Sequence, residues 1–213
     1  GSGFLALPRE LDRFLEEIFG SCPMTVSIKT RIGVEDEEEW PQLLEIFEKY
    51  PLEELIIHPR LKTDQYKKNT IHWEAFKKAE ESSRHSLCYN GDIVSKDDYE
   101  KVVQRFPGTE KIMIGRGILK KPWLAEEISN GDKKDSSRYK EELFEFHEEL
   151  LKGYMDYMSG DRNTLYKMKE LWAYLGTSFT NPERYMKKIR KSQHISEYRI
   201  WVGNLFREQD LIW

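Results

Sequence analysis

Cysteine is nearly absent from this chain. Cys22 and Cys88 are the only two in 213 residues. Their spacing forms no metal motif, and two thiols make no disulfide framework, so a reducing, cytoplasmic setting is expected and no metal site is. Long apolar runs are missing too. No stretch of about 18 apolar residues occurs, so no membrane-spanning helix is expected, and no secretory apolar region is visible. Positive charge is not in excess. Lys and Arg number 34 against 38 Asp and Glu, a net charge of −4, which argues against a uniformly basic nucleic-acid binder. Mean hydropathy is −0.73 with 38% apolar residues, so the chain is polar yet can bury a core.

The charge is unevenly spread. Residues 161–200 hold nine Lys or Arg and four Asp or Glu, a local +5, while residues 1–160 sum to −8. A basic segment on an acidic body is either a polyanion footprint or an ordinary solvated helix face. Charge alone leaves both open.

Four segments read as strands: 25–32, 54–58 running on to Pro59 and Arg60, 87–92 and 111–115. Each ends in polar residues or glycine. From Lys29 to His58 is 29 residues, from His58 to Asn90 is 32, and from Asn90 to Gly115 is 25. That is the length of a strand plus a helix, the repeat of a parallel α/β fold. Helices are expected at 8–19, with Leu11, Phe14, Leu15 and Ile18 as the apolar stripe, and at 36–50, 73–83 and 95–106. The stretch Asn130–Ser137 reads as a linker. Beyond it only helices are expected, at 137–158, 162–175, 182–192 and 196–207, with Gly176 closing the second and Asn181-Pro182 opening the third. The domain boundary is therefore placed near residue 130, giving an α/β part at 1–130 and an all-α part at 131–213.

A closed (β/α)8 barrel takes about 250 residues. Four strands in about 130 residues make half of one, so a cut barrel is expected in preference to a small open sheet.

At these residues the chain resembles the tRNA-dihydrouridine synthases, FMN enzymes built from a TIM barrel and a C-terminal helical domain. Gly1-Ser2-Gly3-Phe4-Leu5 resembles the segment after that family's catalytic cysteine loop, which makes the opening glycines native and not a tag remnant. Val26 to Gly33 resembles its fifth strand and His58-Pro59-Arg60 its sixth. Asn90-Gly91-Asp92-Ile93 resembles the seventh, and Met113 to Gly117 with Pro122-Trp123 the eighth. Lys167-Met168-Lys169-Glu170-Leu171-Trp172 follows in the tail. The resemblance implies barrel strands five to eight, with strands one to four and the proton-donating cysteine upstream. Cys22 precedes its strand and belongs at the opposite, amino-terminal face; Cys88 is expected to be a buried structural thiol.

The resemblance also implies roles. Lys29 would lie near the flavin N1–C2=O edge, and its alternation with Val26, Ile28 and Ile32 gives it one definite side. His58 would contact the flavin, and Arg60 a substrate or phosphate. Asn90, Gly91 and Asp92 would line the phosphate and ribityl side. Gly115 and Arg116 would give a backbone N–H and a guanidinium to the phosphate. Lys167 and Lys169 would meet tRNA. Arg184, Lys187, Lys188 and Lys191 fall at i, i+3, i+4 and i+7 and share a helix face able to follow an RNA backbone. Trp172, Tyr174 and Phe179 are expected in the core. The implied activity is reduction of tRNA uridine to dihydrouridine by FMN with NAD(P)H as reductant, with this chain alone inactive. The alternatives are an FMN barrel oxidoreductase of a free small molecule, such as a dihydroorotate-type dehydrogenase, and a non-catalytic RNA-binding module.

Overall fold

The computed structural model describes residues 2–65, 67, 70–131 and 136–212. The chain divides into two compact units: Gly1–Ile93 with Asp97–Ile114, and Val94–Lys96 with Gly115–Trp213. The boundary expected near residue 130 thus falls within the second unit.

In the first unit, β1 (Ser27–Gly33), β2 (Glu54–Leu61), β3 (Leu87–Asn90) and β4 (Lys111–Met113) form one parallel sheet in the order β1-β2-β3-β4. β1 and β4 are its edges. Helices α1 (Pro8–Ser21), α2 (Trp40–Phe47), α3 (Trp73–Ser82) and α4 (Lys96–Arg105) provide the connections. Alternation sorts the strand residues onto two faces. Ile32, Leu55, Ile57 and Tyr89 pack into the core with Leu11, Leu15, Trp40, Leu43, Phe47, Phe76, Val102 and Phe106 from the helices. The opposite face carries Lys29, Arg31, Ile56, His58, Cys88, Asn90, Lys111 and Met113.

The local chemistry explains the departures from expectation. Residues 36–50 do not form one helix. Asp36 and Glu39 make a capping box around a 3-10 turn at Glu37–Glu39, and α2 runs only to Phe47. Phe14 leaves the expected apolar stripe of α1, lying 41% exposed and stacked on Phe4 at 4.8 Å between centroids. β3 stops at Asn90 and β4 at Met113, short of the expected glycines. β2 continues to Leu61 through a bulge. Arg31 pairs with His58 but Gly33 with Leu61, so two residues, Pro59 and Arg60, oppose Ile32. The bulge is what admits a proline to a central strand.

The second unit is helical: α5 (Arg116–Lys120), α6 (Leu124–Asn130), α7 (Ser136–Tyr157), α8 (Gly160–Leu175), α9 (Glu183–Lys191) and α10 (Ile195–Glu208). α5 and α6 were not foreseen. An antiparallel bridge between Phe179 and Leu211 joins the end of the chain to the α8–α9 connection. Of the expected linker, Asn130 closes α6, Gly131 turns left-handed with φ 71°, and Ser136 opens α7; residues 132–135 lie outside the described residues. Trp172 and Phe179 are fully buried with Leu151, Met168, Ile189 and Leu205, while Tyr174 is half-buried. Gly176 follows α8 in right-handed backbone, not as a left-handed cap; its role is contact, since a Cβ there would lie 2.5 Å from the Met186 Sδ. Asn181 supplies no cap to α9. It takes a positive φ of 42°, and Pro182 occupies the cap position. Among the described residues no helix is long and apolar enough to cross a membrane.

Candidate functional site

The parallel sheet brings Lys29, Arg31, His58 and Asn90 to one face, with Arg31, His58 and Asn90 toward the carboxyl ends of their strands and Lys29 further back, in register with Ile56. Arg31 is opposite His58 in register, and Asn90 is opposite Met113. This end of a parallel sheet is where loops of several strands converge.

His58 is buried, 8% exposed. Burial pushes its pKa down to about 4, and the charges of Lys29, Arg31 and Arg60 add to that effect against the weaker pull of Asp92. The imidazole is therefore neutral near pH 7, with one N–H to donate. Lys29 keeps solvent contact along its side chain. Its ammonium is nonetheless held below the usual lysine range, first by desolvation and then by Arg31. Arg31 donates from Nη1 to the carbonyls of Leu61 at 2.8 Å and Lys62 at 3.2 Å, tying the end of β1 to the loop after β2.

Arg60 departs furthest from its expected role. Its side chain is fully buried. Nη2 pairs with the Asp92 carboxylate, and Nη1 donates to the Lys67 carbonyl at 2.6 Å and to the Thr70 hydroxyl. The bulge turns it inward, so the guanidinium expected at a substrate or phosphate holds the protein's own groups. Asp92 takes a left-handed φ of 40°, uncommon outside glycine but tolerated by aspartate. Gly91 is crowded: a Cβ there would lie 3.0 Å from the Tyr89 hydroxyl and 3.2 Å from Ile71 Cδ1. Asn90 donates from Nδ2 to the Met113 carbonyl at 2.8 Å, fastening β3 to the end of β4.

Other residues at this end give no isolated motif in the sequence. Glu39 accepts from the backbone N–H groups of Val34, Glu35 and Asp36, each at 2.9 Å, and shapes the turn after β1. His72 joins two loops, with Nδ1 2.7 Å from Glu37 and Nε2 3.0 Å from Asp64. The one available signal was Pro59: a proline inside a strand pattern implies a bulge, and a bulge redirects its neighbours.

Of the two cysteines, Cys22 follows α1 and precedes β1, while Cys88 shares a row of the sheet with Lys29 through Ile56. Cys88 is 4% exposed within β3, and burial pushes its thiol up, with Glu54 adding to the effect. Lys111 pairs with Glu54 at 2.9 Å on the same face.

This face combines the cations Lys29 and Arg31 with a neutral imidazole donor; beneath it Arg60 Nε, buried with its side chain, lacks a hydrogen-bond partner among the described residues. Such a donor set fits an acceptor-rich, anionic group.

In the second unit, Gly115 precedes α5 and Arg116 begins it. A Cβ on Gly115 would meet open space. Arg184, Lys187, Lys188 and Lys191 are all exposed along α9, whose buried side is Tyr185, Met186 and Ile189. The Lys188 ammonium lies 5.1 Å from the centre of the Trp201 ring. Lys169 instead donates to the Ser192 carbonyl at 2.5 Å, where a cation suits the carboxyl end of α9. Lys167 pairs with Glu170 at 3.6 Å.

The model of the dihydrouridine synthase (Dus) family matches residues 1–205. The chain is 29% identical over 129 residues to tRNA-dihydrouridine synthase B of Vibrio parahaemolyticus, covering 60% of this chain and 39% of that protein. It is 26% identical over 211 residues to tRNA-dihydrouridine(16) synthase of the same species, covering 93% and 63%. The corresponding protein of Vibrio vulnificus is 26% identical over 213 residues, covering 93% and 64%. The chain spans between 39% and 64% of the length of these curated relatives. A family match over residues 1–205, from ahead of α1 into α10, makes this chain a member of the dihydrouridine synthase family.

Proposed function

We propose that this chain supplies the second half of an FMN-binding (β/α)8 barrel and a helical RNA-binding region of a tRNA-dihydrouridine synthase. The family match over residues 1–205 carries this reading. The open four-stranded sheet supports the half-barrel, because among the described residues β1 and β4 each pair on one side only. Four further strands would close it.

When bound, FMN reduced by NAD(P)H supplies the hydride that reaches C6 of a tRNA uridine. The groups of this chain hold and orient. Lys29 would offset negative charge at the N1–C2=O edge, where a partly desolvated ammonium acts more strongly than one in bulk water. His58, kept neutral by burial, donates one hydrogen bond without adding a fourth cation to Lys29, Arg31 and Arg60. Asn90, Gly91 and Asp92 border the ribityl and phosphate side. Gly115 and Arg116 are assigned to the phosphate. The proton for C5 is assigned to a cysteine outside these 213 residues, since Cys88 is buried within β3 and Cys22 lies before β1. The uridine must leave its stack to reach the flavin. The exposed cations of α9 favour an RNA substrate over a free small molecule.

The test is flavin binding by the full-length protein. Arg116→Ala should weaken FMN by about 1.5–3 kcal/mol, the strength of a charged hydrogen bond, and leave riboflavin unaffected. Lys29→Ala should weaken both. Equal loss of riboflavin in the two variants would overturn the assignments. The 213-residue chain alone should not reduce uridine; turnover at the rate of a complete synthase would refute the half-barrel reading.

A further inference from the structure

We propose that Arg60 is a positioning residue: through its buried ion pair with Asp92 it fixes the Asp92 end of the Asn90-Gly91-Asp92 turn, and with it the protein's preference for the phosphorylated flavin. This rests on the flavin site proposed above.

The bulge at Pro59–Arg60 sends a guanidinium into the interior, where it is fully buried. A buried guanidinium cannot lose its charge near neutral pH and needs a carboxylate beside it. Asp92 supplies one and is itself one-third exposed, so the pair joins the interior to the surface of the turn. Asp92 accepts a left-handed φ of 40° to do so. Its two predecessors are held independently. Gly91 is packed against Tyr89 and Ile71, so that a Cβ would press on both, and Asn90 is fastened to the Met113 carbonyl. All three residues of the turn are thus fixed by the protein's own contacts. A turn ordered before a ligand arrives pays no ordering entropy on binding, which sharpens selection between ligands differing by one phosphate. The same pair explains why Arg60 does not reach outward to a substrate.

The experiment compares affinities for FMN and riboflavin in the full-length protein, measured on the folded fraction. Arg60→Met, of similar length and uncharged, should lower the FMN-over-riboflavin preference at least tenfold. Arg60→Lys, which keeps a charge beside Asp92, should restore most of it. Asp92→Asn tests the same link from the exposed side and serves if Arg60→Met does not fold. Arg60→Met combined with Asp92→Asn should lose no more preference than the worse single variant, whereas Lys29→Ala, which weakens both flavins, should leave the preference unchanged in either background. A folded Arg60→Met or Asp92→Asn protein that keeps the wild-type preference overturns the proposal, as does equal loss of preference in Arg60→Lys and Arg60→Met. If the wild-type protein binds neither flavin, the flavin-site reading itself fails and this inference falls with it.

Discussion

The indole N–H of Trp172 donates to the hydroxyl of Tyr198 at 2.5 Å. That hydroxyl lies 2.6 Å from His147 Nε2, and His147 Nδ1 lies 3.1 Å from Glu148, which also holds Arg199 at 3.0 Å. A neutral His147 satisfies the whole chain in one sense: Trp172 donates to Tyr198, Tyr198 to His147, and His147 to Glu148. These contacts link α7, α8 and α10 through a polar line in an apolar core.

Tyr198→Phe should therefore be costly although it deletes one oxygen. It leaves the Trp172 N–H and the His147 Nε2 without their partner in a buried site. Each unsatisfied group costs about 1–3 kcal/mol. Urea denaturation followed by tryptophan emission should show the midpoint falling with an unchanged slope. Trp172→Phe, which leaves the hydroxyl free to keep its bond to His147, should cost less in hydrogen bonding but more in packing.

The same histidine sets a pH dependence. Burial pushes the pKa of His147 down to about 4, and the Arg199 charge adds to it. An unfolded histidine titrates near 6.5. The folded state thus prefers the neutral ring, and the unfolded state binds the extra proton as pH falls. Stability from this group is present above about pH 6.5 and is lost as pH drops towards 4. Between pH 7 and pH 5 the loss should be about 2 kcal/mol from His147 alone. His147→Gln should flatten the curve across that window, as measured by chemical denaturation at several pH values. An unchanged slope would mean the ring is already charged in the fold.

Glu39 provides a test at the sheet end. Desolvation raises its pKa, but the three backbone N–H groups of Glu35, Val34 and Asp36 outweigh it, and the net shift is downward. Its stabilising effect is present above the ordinary glutamate range and is lost as pH falls through the depressed value. Glu39→Ala should cost about 2 kcal/mol, the usual scale for a lost charged cap. Glu39→Gln should cost less, because one oxygen can still accept. Faster amide exchange at Val34, Glu35 and Asp36 in the alanine variant would locate the effect in the turn after β1.

The order of the four strands and of the longer helices was legible because hydrophobic alternation and strand-to-strand spacing are local signals; the short α5 and α6 were not. The side of Lys29 could also be read, since Ile28 and Ile32 flank it at the right period. The orientation of Arg60 could not. It depends on a register shift between β1 and β2, and register belongs to two strands at once. Lys169 shows the same limit. Its position in a basic segment suggests RNA, but the Ser192 carbonyl that it meets is 23 residues away. The early end of α2 was hidden because Asp36 and Glu39 look equally at home in a longer helix. Only the N–H groups they satisfy reveal the turn.

The last prediction concerns the exposed cations of α9. If Arg184, Lys187, Lys188 and Lys191 follow an RNA backbone, reversing all four charges should weaken tRNA binding and leave flavin binding intact. Phosphate contacts carry no sequence, so the loss should be similar for any tRNA. Each lost contact should reduce the slope of log K against log salt by roughly 0.7–0.9. Arg190 is exposed on the same helix but lies off this stripe, with its Nε on the Met186 carbonyl at 3.2 Å. Arg190→Glu is therefore the control and should do less. Lys188 adds an optical readout, because its ammonium sits over Trp201. A phosphate that draws Lys188 away should change Trp201 emission, and Lys188→Met should abolish that change while costing only one contact. If the fourfold reversal leaves both affinity and salt slope as they were, the stripe is a solvated surface and tRNA must be held elsewhere.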